Sequence, residues 1–119
     1  MKLAFIFRTA PHGRSISREG LDALLAATAF CDETDIGAFF VEDGILNLLS
    51  NQEPTAILQK DVAKMFKLLD LYDIEQRFIC ADSLAQFSLR ADELVLACQV
   101  LSRSEWMAQL QQAEKIFTF

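Results

Sequence analysis

Short apolar runs that return at intervals along the chain, with helix-patterned segments between them, restrict the fold more than any other feature. Leu3-Ala4-Phe5-Ile6-Phe7 and Ile36-Gly37-Ala38-Phe39-Phe40-Val41 are apolar at consecutive positions and end in turn-forming residues. That is the pattern of a strand buried on both faces, not of a half-exposed one. Glu75–Ala81, Leu94–Cys98 and Lys115–Phe119 read as three further strands. Between them, a helix is expected from a Ser17 cap to about Cys31, with Leu21, Leu24 and Leu25 at helical spacing, and one or two helical turns over Ile45–Leu49. Ser50 to Pro54 reads as a polar loop. Thr55 is expected to cap the longest amphipathic helix, with Ile57, Leu58, Val62, Met65, Phe66 and Leu69 on one side and Lys60, Lys64 and Lys67 on another. A short helix capped by Asp82-Ser83 runs to about Phe87, and Ser102 or Ser104 caps a last one through Trp106, Met107 and Leu110. The expected class is therefore α/β: a three-layer sandwich with a mostly parallel five-stranded sheet covered by helices on both faces.

The length of 119 residues suits one domain over 1–119. A domain of this size buries roughly two-thirds of its unfolded surface. With 52% hydrophobic residues and a mean hydropathy of +0.21, the chain holds more apolar side chain than one core hides, so part of it is expected to face a partner. The net charge of -6 opposes phosphate neutralisation, which excludes direct tRNA or DNA binding as the main activity. The first apolar run is too short for a secretory leader, and charged residues interrupt every stretch before a bilayer-spanning length is reached. Cys31, Cys80 and Cys98 are odd in number and widely spaced, and there is one His, so neither a disulfide framework nor a metal site is expected. These features point to a reducing cytoplasm, with no membrane and no cofactor.

In parallel α/β sheets, reactive groups collect where strand ends meet helix starts, here residues 9–17, 42–44 and 80–83. The 9–17 loop lacks G-x-G-x-x-G, so it serves phosphate poorly; His12 and Arg14 either contact an anion or partner or simply shape a turn around Pro11 and Gly13. Phosphoryl transfer of the receiver type needs carboxylates at the end of the first strand, where this chain has Arg8-Thr9. Acidic residues 32, 33, 35, 42 and 43 near one edge, and the Lys60, Lys64, Lys67 stripe, both have the plain reading of solvated surface. Among the cysteines, Cys98 lies in an apolar run and reads as buried and inert, while Cys31 at a helix C-terminus is a poor nucleophile. Cys80, at a strand end before a helix start, is the best placed for catalysis. Asp82 opposes a thiolate there, and a core cysteine is the competing reading.

Four blocks carry a more specific likeness: Thr9-Ala10-Pro11-His12-Gly13, Arg18 to Ala26, Phe39-Phe40-Val41-Glu42-Asp43-Gly44, and Phe66 to Glu75. With them the chain resembles, along its whole length, the DsrF-like (TusC-type) subunits of the DsrE/DsrF/DsrH family. The resemblance implies a subunit of a TusBCD sulfur-relay complex, a heterohexamer built as a dimer of heterotrimers with TusB and TusD as sister subunits. Such a complex passes persulfide sulfur from TusA towards TusE for 2-thiolation of the tRNA wobble uridine, and a later enzyme handles the tRNA. It further implies that the principal sulfur-carrying cysteine belongs to TusD and that this chain is mainly structural. By strand count Cys80 takes the place of that cysteine, which makes it the candidate accessory persulfide acceptor. Two alternatives stay open: a small-molecule or flavin-binding α/β module, or a sulfurtransferase acting through its own Cys80. Against a rhodanese type of site, Cys80 to Ala85 offers neither Gly nor Arg.

Overall fold

A computed structural model describes residues 1–11, 15–49 and 62–119. Its centre is a five-stranded sheet of β1 (Leu3–Phe7), β2 (Ile36–Phe40), β3 (Gln76–Cys80), β4 (Gln99–Leu101) and β5 (Lys115–Thr118) in the order β4-β3-β2-β1-β5. Every neighbouring pair is parallel, with Leu3 opposite Ile36, Phe39 opposite Phe78, and Cys80 opposite Leu101. The helices are α1 (Ile16–Ala27), α2 (Val62–Phe66), α3 (Leu68–Leu71), α4 (Ala81–Gln86) and α5 (Arg103–Leu110), and a 3-10 segment spans Glu42–Leu48.

The strand order explains how the helices divide between the two faces. From β1 to β4 each crossover steps to the next strand in one direction, whereas β4 to β5 returns across the sheet to the far side of β1. Parallel crossovers are right-handed, so the returning connection must cross on the opposite face. Accordingly Leu21 and Leu24 of α1, Phe66 and Leu69 of α2 and α3, and Leu84 of α4 share one core with Phe5, Phe7, Ile36, Phe40 and Ile79. The other core joins Trp106 and Leu110 of α5 to Ala4, Phe39, Phe78 and Cys80. Strand side chains alternate between these cores, as a strand buried on both faces requires.

Aromatic rings fill the first core. Phe7 stacks on Phe40 at 5.3 Å and meets Phe66 edge-on at 5.0 Å, and Phe5 stacks on Phe117 at 5.2 Å. In the second core Trp106 stands edge-on to Phe39 at 5.5 Å.

Four expectations need correction. The fourth strand is Gln99–Leu101, not Leu94–Cys98. Leu94 makes an isolated antiparallel bridge to Leu49, the Val95 N–H donates to the Leu48 carbonyl, and Leu96 is buried, so the apolar run is irregular chain pinned into the core. Ser17 lies inside α1, where its hydroxyl donates to the Thr9 carbonyl at 3.0 Å; Ser15 is the cap residue and makes no side-chain cap bond. Helix α4 starts at Ala81, its cap position at Cys80 two residues before Asp82, and neither Asp82 nor Ser83 caps it. The expected long helix appears, within the described residues, as α2 and α3 separated at Lys67, while Thr55, Lys60 and the 50–54 loop lie outside them. The last helix conforms: Ser102 caps α5, its hydroxyl accepting from the Glu105 N–H while the Glu105 carboxylate accepts from the Ser102 N–H.

Candidate functional site

Because all strands run the same way, β2 and β3 end side by side, and the segments that leave them are brought together. Beyond these ends lies a cavity of about 370 Å³. Val41 and Glu42 line it from the end of β2, Cys80 from the end of β3, Asp82, Ser83 and Gln86 from α4, and Arg103, Trp106 and Met107 from α5. Arg103, Trp106 and Met107 are three and four residues apart, which places them on one helix face.

The wall has a strained point. Glu42 has φ 52, in the left-handed region, a conformation that costs a residue other than glycine about 1–2 kcal/mol. Its N–H donates to the Ser83 hydroxyl at 2.9 Å, and Ser83 is buried. This bond spans 41 positions of sequence and locks the chain after β2 against the first turn of α4. Gly44 holds the next link, since its carbonyl and that of Thr9 both accept from Asn47 Nδ2 at 2.9 Å. Strain held by its surroundings is a mark of functional sites.

Cys80 is 2% exposed and Trp106 4% exposed. The Trp106 indole N–H is buried and has no hydrogen-bond partner among the described residues, an arrangement native proteins seldom tolerate without a purpose. Arg103 is exposed and forms no ion pair among the described residues, whereas Arg77 of β3 is engaged by Asp70 at 3.1 Å and by the Ala97 carbonyl at 2.9 Å. The cavity therefore combines a thiol, a hydroxyl already in use, an unspent indole donor, a lone guanidinium and the carboxylates of Glu42 and Asp82.

Of the three strand-end regions singled out in the sequence, the fold joins 42–44 and 80–83 at the cavity, and none of the described residues of 9–17 lines it. In the last, Thr9, Ser17 and Asn47 tie β1 to α1 and to the 3-10 segment, and His12 and Arg14 lie outside the described residues. Asp32 and Asp35 precede β2 while Glu42 and Asp43 come after it, so the acidic residues stand at opposite ends of the sheet and do not crowd one edge. Cys31 is half-buried against the first core. Cys98 is also half-buried, and loss of solvation pushes its thiol up to about 11 despite the nearby Arg77 charge. Sequence reasoning missed Glu42, Arg103 and Trp106 as companions of Cys80. Only the capping of α5 by Ser102 hinted that Arg103 would sit in a first helical turn.

The sequence profile of the DsrE/DsrF-like family matches residues 1–119. The chain belongs to the DsrE/DsrF-like family. It is 62% identical to the "Protein TusC homolog" of Haemophilus influenzae and 57% identical to that of Pasteurella multocida, in both cases over 100% of each chain. The "Protein TusC" of Klebsiella pneumoniae strain 342 is 46% identical over 99% of this chain and 98% of its own. Among solved structures, the ychN protein from E. coli superposes with a TM-score of 0.79 at 17% identity, covering 100% of this chain and 99% of that one. At that identity the likeness shows the fold alone.

Proposed function

We propose that the chain is a subunit of a cytoplasmic sulfur-relay complex of the TusBCD type, passing persulfide sulfur from TusA towards TusE for 2-thiolation of the tRNA wobble uridine. The likeness that carries this reading is the 62% identity over full length to a protein named as a TusC homologue. In this reading the single domain serves mainly as a structural partner of TusB and TusD in a dimer of heterotrimers. Cys80 is an accessory persulfide acceptor, and the principal carrier sits on the TusD sister.

Three features support the assembly. Large apolar side chains remain exposed, among them Phe30 at 89% and Leu71 at 74%. On the second face α5 is the one helix among the described residues, leaving Ile6 half-covered and Ile116 exposed. The net charge of -6 fits a subunit that acts on tRNA only through partners. No helix among the described residues is long and apolar enough to cross a membrane.

Co-expression with the two sister subunits, then size exclusion with light scattering, tests the reading. A stable heterohexamer is the expected product, with self-association or poor solubility when the chain is made alone. A well-behaved monomer that ignores both sisters would overturn it.

A further inference from the structure

Resting on the reading of Cys80 as an accessory acceptor, we propose that Arg103 and Trp106 of α5 form the recognition wall for a sulfane sulfur held on Cys80, binding the terminal sulfur of the Cys80 persulfide as an anion. Three independent observations converge on one cavity: a thiol at a strand end, an indole N–H nine-tenths buried and without a partner, and a guanidinium without an ion pair among the described residues. Each of the last two is a donor with no acceptor among the described residues, and both sit on the face of α5 that lines the cavity.

The chemistry supplies the missing acceptor. The Cys80 thiol gives up its proton and its sulfur attacks the outer sulfur of an incoming persulfide. The donor's S–S bond breaks, a new S–S bond forms on Cys80, and the departing donor thiolate takes the proton. One neutral sulfur atom moves and there is no net oxidation. A persulfide is more acidic than its parent thiol, so the product carries negative charge on its terminal sulfur at neutral pH. That charge meets Glu42 from the end of β2 and Asp82 from α4, and among the described residues of the wall Arg103 is the one cation that offsets them. A charge-assisted hydrogen bond from the guanidinium, together with the indole N–H, holds the loaded state against this repulsion.

The test uses the assembled complex and cysteine persulfide as donor. Occupancy of the Cys80 persulfide is read by mass spectrometry of the alkylated peptide, and the pH profile of its alkylation is measured alongside. Arg103→Gln is expected to lower occupancy about fivefold, the size of one exposed charge-assisted contact, and to move the alkylation profile to higher pH; Arg103→Lys restores both. Trp106→Phe, which keeps a ring against Phe39 but removes the N–H, lowers occupancy about threefold. Thermal midpoints and complex size report folding separately. Occupancy and pH profile unchanged in both Arg103→Gln and Trp106→Phe, with Cys80 loaded in the wild type, would overturn the proposal and leave the acceptor reading intact. Cys80 unmodified in the wild-type complex beside a loaded sister subunit would overturn both.

Discussion

Replacing Gly44 by Ala tests how tightly the chain after β2 is locked to the end of β1. A Cβ at this position would lie 1.8 Å from the Phe7 carbonyl oxygen, 2.3 Å from its carbon and 2.8 Å from the Arg8 nitrogen. These are backbone atoms, so no side-chain rotation relieves the contact. Phe7 cannot retreat, because its fully buried ring is held between Phe40 and Phe66 and its carbonyl accepts from the Val41 N–H at 3.2 Å. Overpacking in a core costs about 1–3 kcal/mol when side chains can adjust. With backbone on the other side the loss is expected at about 3 kcal/mol or more, which lowers the melting midpoint of a chain this long by about 10 °C or more. Gly20→Ala provides the comparison. Its Cβ would meet ring atoms of Phe119 at 2.6 Å and of the firmly held Phe7 at 2.8 Å, and alanine recovers about 1 kcal/mol in a helix, so its net cost is about 2 kcal/mol. Thermal and urea unfolding of both variants in the same assembly state measures the difference. A Gly44→Ala midpoint within about 2 °C of wild type, or below it by less than Gly20→Ala, would refute the argument.

Three further outcomes are expected. Ser102→Ala removes the α5 cap and costs about 1 kcal/mol by denaturant titration at neutral pH. Hydrogen bonds from the Ser102 backbone N–H first, and then its side chain, hold the Glu105 carboxyl below its ordinary 4.5; this stabilisation is present above the unfolded value and is lost as pH falls through the folded one, so the gap between Glu105→Gln and wild type narrows as pH falls below 4.5. Cys98, pushed from 9.0 to about 11 by burial, is expected to alkylate about a hundredfold more slowly at pH 8 than the same cysteine in the urea-unfolded chain; equal rates would refute its assignment as inert.

Strands β1, β2, β3 and β5 are legible in the sequence to within a residue or two at each end, because an apolar run closed by turn residues leaves few other arrangements at that length. The Leu94–Cys98 run defeats the same reasoning. Its residues enter the core as irregular chain, with Leu94 and Val95 bonded near Leu48 and Leu49 and the Ala97 carbonyl accepting from Arg77, and periodicity cannot tell burial in a strand from burial without one. Cys80 is legible as a strand-end thiol, yet its surroundings are not. Glu42 reaches it through a hydrogen bond to Ser83 across 41 positions, and Trp106 and Arg103 through a crossover whose face depends on β5 returning to the far side of β1. Ser83 shows the limit plainly: a serine at a helix start reads as a cap, but here its hydroxyl is taken by a distant backbone N–H.

The relay assignment meets its most direct test in tRNA taken from cells that lack this chain. Nucleoside analysis is expected to show wobble 2-thiouridine strongly reduced and restored by the wild-type chain, while the purified chain, at net charge -6, leaves tRNA unshifted in a gel at moderate salt. Unchanged 2-thiouridine in the deletion strain would contradict the account.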